Sequence, residues 1–296
     1  MNILILGGAG FLGKNLEKKL SQKHNIFIVD CIPKSEENYF NISLSQTQKL
    51  IDTIEANKIQ IIIHLISTLL PSSFMEQYLQ DIQSIYCPSV KLLDYCAKNK
   101  IKIIYFSSGG AVYGNNNNVF MENMDCNPVS FYGLSKLNFE NLIKYYHITN
   151  SLNYLIIRPS NPYGYGQNIF GKQGLIAVII GKIQKNEKIQ IWGNGSAIKD
   201  YIFIDDFVFY ISSLIEKDIW NNTFNIGSGI GSSINDVLNA FRQNSINLPE
   251  IEYIAEKQTD VKRSILDCSK IQKLIDYQIT PLTVGIKDFW NKVNKN

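Results

Sequence analysis

The chain has 296 residues, 45% hydrophobic and 19% charged, which excludes a disordered tail, a fibrous repeat or a disulfide-stapled mini-domain and allows one large domain or two unequal ones. Its 29 basic and 26 acidic residues are spread along the chain and sum to +3, so no basic block points to nucleic acid or to a membrane surface. Five cysteines (Cys31, Cys87, Cys96, Cys126, Cys268) stand far apart with neither metal nor disulfide spacing, and they read as reduced, mostly buried thiols of a cytoplasmic protein.

The start of the chain lacks the basic residues and cleavage site of a signal peptide, and no apolar run reaches membrane-spanning length. Residues 3–6 are an apolar run that predicts a strand, and residues 12–20 have helical spacing. Between them lies Gly7-Gly8-Ala9-Gly10-Phe11-Leu12-Gly13, with Gly7, Gly10 and Gly13 in GxxGxxG spacing. Glycine permits a tight strand-to-helix turn and lets a pyrophosphate approach the backbone, where the first amides of the helix face the anion. Residues 26–30 predict the second strand and end on Asp30, about 20 residues past the turn, where an acid reads the adenosine ribose hydroxyls and repels a 2′-phosphate. Strand, turn, helix and acid together predict a site for NAD rather than NADP.

Residues 59–65 and 101–106 continue the strand signal with a helix over 90–98 between them, as in a parallel sheet buried on both faces. His64, at the end of an apolar strand, reads as a packed structural histidine, and His24 and His147 as surface residues. The asparagine run 115–118, Asn117 included, reads as a solvated loop. A helix over 132–146 opens with Tyr132-Gly133-Leu134-Ser135-Lys136, a YxxxK that stacks phenol and ammonium on one helix face. Residues 153–158 predict a further strand, 159–174 are rich in Pro and Gly, and 175–184 predict a helix. Segments 204–215 and 223–226 are candidates to return to the core sheet. The predicted fold is α/β, a Rossmann-type doubly wound parallel sheet over residues 1–160 with 200–228 returning to it. Residues 161–296 mainly form a smaller C-terminal α/β substrate cap.

Taken in order, Gly7–Gly13, Asp30, Ser107-Ser108-Gly109-Gly110-Ala111-Val112-Tyr113-Gly114, Tyr132–Lys136, Arg158–Gly164 and Lys199–Asp206 make the chain resemble the extended short-chain dehydrogenase/reductase family, in its NAD-dependent sugar-nucleotide epimerase/dehydratase branch. The resemblance implies that Tyr132 removes a proton from a sugar hydroxyl. A tyrosine with its ordinary value near 10 is a poor base at neutral pH, so the Lys136 ammonium and the positive nicotinamide ring are expected to favour the phenolate, and Lys136 is implied by the resemblance to hold the nicotinamide ribose. Gly7, Gly10, Phe11, Leu12, Gly13, Asp30, Leu65, Ser107, Tyr132 and Lys136 form the implied cofactor set.

The hydroxyl that many relatives carry before Ala/Thr-Val-Tyr-Gly falls here on Gly109. Ser108 is expected to replace it, with Ser107 as the alternative. The Asp-Glu of dehydratases is replaced by Gly110 and Ala111, which argues against 4,6-dehydration. On the substrate side the resemblance implies Ser108, Gly109, Asn161, Ile191, Trp192, Lys199, Lys257 (shortly before Asp260) and Arg263. For Arg263 a plain surface charge is an equal reading. No cluster suggests a metal.

The implied activity is that of an NAD-dependent sugar-nucleotide 4-epimerase of UDP-hexose type, working through a transient 4-keto sugar. The alternatives are a sugar-nucleotide dehydrogenase or 4-keto reductase on the same residues, and a catalytically silent nucleotide sensor. The resemblance also implies a homodimer through helices over 84–99 and 132–150. Phe139, Leu142, Ile143 and Tyr146 give the second of these more apolar surface than one face needs.

Overall fold

A computed structural model describes residues 1–115, 118–255 and 262–294; Asn117, Lys257 and Asp260 lie outside the described residues. In chain order the strands are β1 (Asn2–Leu6), β2 (Asn25–Asp30), β3 (Tyr39–Asn41), β4 (Ile61–His64), β5 (Lys102–Phe106), β6 (Val119–Phe120), β7 (Tyr154–Pro159), β8 (Asn161–Tyr163), β9 (Ile189–Trp192), β10 (Ile198–Phe203), β11 (Asn222–Ile226), β12 (Gly231–Ser233), β13 (Ile251–Ile254) and β14 (Arg263–Leu266). The helices are α1 (Phe11–Leu20), α2 (Thr47–Ala56), α3 (Met75–Asp81), α4 (Cys87–Lys98), α5 (Phe131–Asn150), α6 (Leu175–Gln184), α7 (Ile204–Glu216), α8 (Ile234–Gln243), α9 (Ser269–Leu274) and α10 (Leu282–Asn294). A π-helical turn, Ile82–Tyr86, joins α3 to α4.

The chain divides into two compact units. The first comprises Met1–Gly114, Asp125–Arg158 and Ile211–Phe224; the second comprises Asn115–Met124, Pro159–Tyr210 and Asn225–Asn296. The first is built on a seven-stranded sheet of order β11-β7-β5-β4-β1-β2-β3. Its strands from β3 to β7 pair in parallel, with Leu4 beside Phe27 and Ile62, and Ile104 beside Leu155. Side chains alternate between the faces of a strand. One face carries Leu4, Leu6, Phe27, Val29, Ile62, Ile103 and Ile156, packed with Leu50 and Ile54 of α2, Leu92 and Cys96 of α4, and Phe139 and Ile143 of α5. The residues between them, Ile3, Ile5, Ile28, Ile61, Ile63, Leu155 and Ile157, are buried too, so both faces are covered. This is the doubly wound Rossmann-type arrangement, and it explains why the strands read as continuous apolar runs.

The second unit holds a sheet of order β12-β10-β14-β6, with β8 also pairing β10, and a separate parallel pair, β9 and β13. Phe207, Phe241 and Phe289, from α7, α8 and α10, are fully buried in it.

Several expectations need correction. Segment 204–215 is not a strand but helix α7, and Ile204, Phe207, Val208, Ile211, Leu214 and Ile215 are its buried face at helical spacing. The neighbouring segment 223–226 does join the edge of the seven-stranded sheet, within β11. Of the cysteines only Cys96 and Cys268 are buried; Cys31 and Cys87 are exposed and Cys126 is half-buried. His24 and His147 are half-buried, and His147 Nδ1 lies 2.9 Å from the Leu152 carbonyl just past the end of α5. Phe139 and Ile143 are core residues of the first unit, and Leu142 and Tyr146 are partly buried against the same core.

Candidate active site

The turn after β1 is held by its own backbone. Gly7 lies at φ +81 and its amide donates to the Val29 carbonyl at 2.8 Å. Gly10 is the N-cap of α1 with no side-chain cap, so the first amides of the helix are left for another acceptor. A Cβ on Gly13 would lie 2.5 Å from Gly8 Cα, a backbone clash that only glycine avoids. Phe11 and Leu12, half-buried, make up the first turn. Basic residues sit at the opposite end of α1, Lys18 and Lys19, and complement the helix dipole. Asp30 caps the arrangement: its Oδ2 accepts from the Ala9 amide and its Oδ1 from the Ile32 amide, each at 3.0 Å. Leu65 follows β4 beside the turn, its amide donating to the Leu6 carbonyl at 3.0 Å. An uncapped helix N-terminus, a glycine cradle and an anchored carboxylate fit the pyrophosphate and ribose of a dinucleotide.

The second cluster gathers at the end of β5 and the start of α5. Ser130 caps α5 by accepting from the Gly133 amide at 3.1 Å, which sets Tyr132 and Lys136 one turn apart. The Ser108 hydroxyl stands beside the Tyr132 phenol. Burial pushes the Tyr132 phenol above its ordinary value, and the Ser108 hydroxyl draws it partly back. Lys136, 5% exposed, donates to the Phe106 carbonyl at 2.8 Å, and its Nζ lies 5.7 Å from the Tyr132 ring centre and 5.1 Å from that of Tyr105. Burial pushes Lys136 down to about 8, against the pull of Asp81 and Glu140. Burial is thus the larger influence on the Tyr132 phenol.

Ser107 is buried and its Oγ has no hydrogen-bond partner among the described residues, whereas Ser108 is half-buried beside the phenol. Gly109 is buried and Gly110 exposed in the turn that follows, where the Ser108 carbonyl accepts from the Val112 amide.

Two acids that the sequence reading passed over stand close by. Glu140, one turn beyond Lys136, is fully buried against Arg158, whose remaining amine donates to Tyr113 Oη at 2.9 Å. Asp81 is buried beside Ser135 and Thr68. His64 is buried as expected, with Nε2 3.1 Å from Ser89 Oγ, and burial pushes it down to about 3, so it stays neutral.

In the second unit a cavity is lined by residues of β8, β10, α6 and the start of α8, among them Asn161, Tyr163, Lys199 and Tyr201. Asn161 Nδ2 donates to the Asp200 carbonyl at 2.8 Å, which pins it beside β10. Arg263 opens β14, where it pairs with Ile198 next to Lys199. Ile191 and Trp192 do not line this cavity: Ile191 is buried and Trp192, 47% exposed, points the other way along β9. Among the described residues no group of three or more His, Cys, Asp or Glu side chains is placed to hold a metal. Among the described residues no helix is long and apolar enough to cross a membrane.

Residues 3–227 match the model of the NAD dependent epimerase/dehydratase family. The chain belongs to that family. NAD is accordingly its cofactor. The chain is 29% identical over 303 residues to a putative UDP-glucose 4-epimerase of Methanocaldococcus jannaschii, covering 99% of both chains. It is 33% identical over 244 residues to a dTDP-4-dehydro-6-deoxyglucose reductase of Escherichia coli, covering 77% of this chain and 76% of the relative. Among solved structures, UDP-glucose 4-epimerase of Thermotoga maritima with UDP-glucose superposes with a TM-score of 0.91 at 27% identity, covering 100% of this chain and 99% of the other.

Proposed function

We propose that the protein is a sugar-nucleotide 4-epimerase of UDP-hexose type, with Tyr132 exchanging the proton of the 4-hydroxyl. The observation that carries this reading is the Lys136 ammonium, buried and 5.7 Å from the Tyr132 ring, with the Ser108 hydroxyl beside the phenol. NAD, when bound, supplies a reversible hydride acceptor and adds a positive ring that favours the phenolate. Ser108 takes the place of the hydroxyl missing at Gly109: it shares the reacting oxygen with Tyr132 and orients it. Oxidation leaves a planar 4-keto carbon, and return of the same electrons to its opposite face inverts the centre with no net redox change. Small residues at Gly109 and Gly110 leave room for that turnover. For the nucleotide diphosphate the reading uses Asn161, Lys199 and Arg263, where lysine acts as a point charge without the bidentate fork of arginine. A cytoplasmic homodimer belongs to the same reading, and light scattering at micromolar concentration tests the dimer.

A second reading, a 4-keto reductase, is favoured by one observation, the 33% identity to a reductase of that kind. Purified protein given UDP-hexoses should interconvert the C4 epimers with no lasting change in reduced-cofactor absorbance, and Tyr132→Phe should abolish this while NAD stays bound. Stoichiometric consumption of NADH with a 4-keto sugar nucleotide, and no epimerisation, would establish the reductase instead.

A further inference from the structure

Asp81 is a buried charge that the chemistry above does not use. It ends α3, is 3% exposed, and is followed by the π-helical turn Ile82–Tyr86, a departure from α-helical geometry often found beside functional sites. A carboxylate taken out of water needs its lone pairs met. Thr68 Oγ1 donates to one oxygen at 2.6 Å and Ser135 Oγ to the other at 2.8 Å. Ser135 immediately precedes Lys136, and Asp81, Ser135, Lys136, His64, Tyr86 and Tyr105 line one small cavity.

The charges around Lys136 single out this acid. Glu140 on α5 is engaged through both oxygens by Arg158, so its charge is already matched. His64 on β4 is held neutral by burial, and Tyr105, Tyr132 and Tyr86 are all pushed up by burial and stay protonated. The Lys136 ammonium donates to the Phe106 carbonyl, a neutral acceptor. We propose that Asp81, anchored by Thr68 and Ser135, is a positioning residue whose carboxylate is the countercharge for the buried Lys136 ammonium. Through it Asp81 keeps the cation beside Tyr132. Burial alone drives Lys136 towards the neutral amine, and Asp81 is the largest influence that opposes it.

The role in turnover rests on the proposed function, but the charge coupling does not, so the test reads both. In protein labelled with ¹⁵N-lysine, the Nζ titration of Lys136 is followed by NMR, with Lys136→Met as the assignment control. Asp81→Asn keeps the shape and should lower that midpoint by about one pH unit or more. It should move the alkaline fall of kcat down by a similar amount, with KM for the sugar nucleotide changed by no more than about two-fold. A merely structural role would leave the midpoint in place, and an unmoved midpoint overturns the proposal whether or not the enzyme turns over. Absence of epimerase or reductase activity in the unmodified protein would overturn the functional reading while the titration still decides the role of Asp81. If thermal unfolding shows that Asp81→Asn does not fold, Ser135→Ala loosens the carboxylate but keeps its charge. Its midpoint should fall by a smaller amount, and no fall overturns the proposal.

Discussion

Replacing Glu140 with Gln removes one half of a buried ion pair and nothing else of size. Arg158 is 2% exposed and Glu140 fully buried; Nε donates to Oε1 at 2.9 Å and an η nitrogen to Oε2 at 2.6 Å. Burial lowers the guanidinium, but the carboxylate more than offsets it and raises Arg158 above its ordinary value. Lys144 lies 3.9 Å from the same carboxylate on the solvent side and cannot replace it as a partner for Arg158. Glu140→Gln therefore leaves a guanidinium out of water without a countercharge, which costs about 3–5 kcal/mol in comparable buried pairs. Glutamine can still accept one hydrogen bond, so the lower end of that range is expected. For a unit of this size the loss lowers the unfolding midpoint by roughly 10 °C. That cost is not the net worth of the pair, because both ions lost hydration on folding. Glu140→Leu with Arg158→Met, which removes both charges and keeps the volume, should lose less than Glu140→Gln alone. Thermal and urea unfolding of the two single variants and the double variant would measure this. A loss below about 1 kcal/mol in Glu140→Gln, or single losses that simply add in the double variant, would refute the reasoning.

Asp30→Ala removes the acceptor of the Ala9 and Ile32 amides as well as the expected ribose partner. NAD affinity measured by calorimetry should fall roughly 10- to 100-fold, the range for hydrogen bonds to a charged group, and NADP affinity should fall much less. Equal losses would remove Asp30 from the cofactor site. His64 makes stability depend on pH. Its folded value of about 3 lies below the ordinary 6.5, so the neutral form is the one that folds. The contribution is intact above pH 6.5 and is lost as pH falls from there towards 3, by about 1.4 kcal/mol per pH unit. Urea unfolding at pH 7 and pH 4.5 should show the unmodified protein losing about 2–3 kcal/mol more than His64→Gln, and equal losses would count against the assignment.

What could be read in the sequence follows from which signals are local. The β1 turn, α1 and Asp30 were legible because glycine spacing, an apolar strand and an acid at the next strand end form one local pattern. Tyr132 and Lys136 were legible because i to i+4 spacing needs no tertiary information. Helix α4 begins before the predicted residue 90: Pro88 sits in its first turn, where the missing amide costs nothing, and the π turn extends it backwards. Strand β3 and helix α2 carry little sequence signal because the apolar residues of 31–58 are scattered among polar ones, so the short buried face carried by Leu50 and Ile54 stands out poorly. In 204–215 the continuous apolar stretch 207–211 hid the helical period, the usual ambiguity of such runs.

Burial of single charges has no local signature, and it separates the residues that do chemistry from those that hold them. Glu140 lies at i+4 from Lys136 and reads as an ordinary exposed helix acid, yet it is a core residue because β7 brings Arg158 beneath it. The Val112-Tyr113-Gly114 segment, which carried much of the resemblance, is structural here. Tyr113 Oη accepts from Arg158, and Gly114, at positive φ, has no Cβ to collide with the Asn127 carbonyl. Asp200, next to Lys199, is likewise buried and accepts from the Ser228, Gly229 and Leu266 amides, fixing the strand rather than facing a ligand. A motif match therefore marks a neighbourhood. Hydrogen bonding and burial show which of its side chains are tied into the fold: Tyr113, Arg158 and Asp200 are, whereas Tyr132 and Ser108 are half-buried.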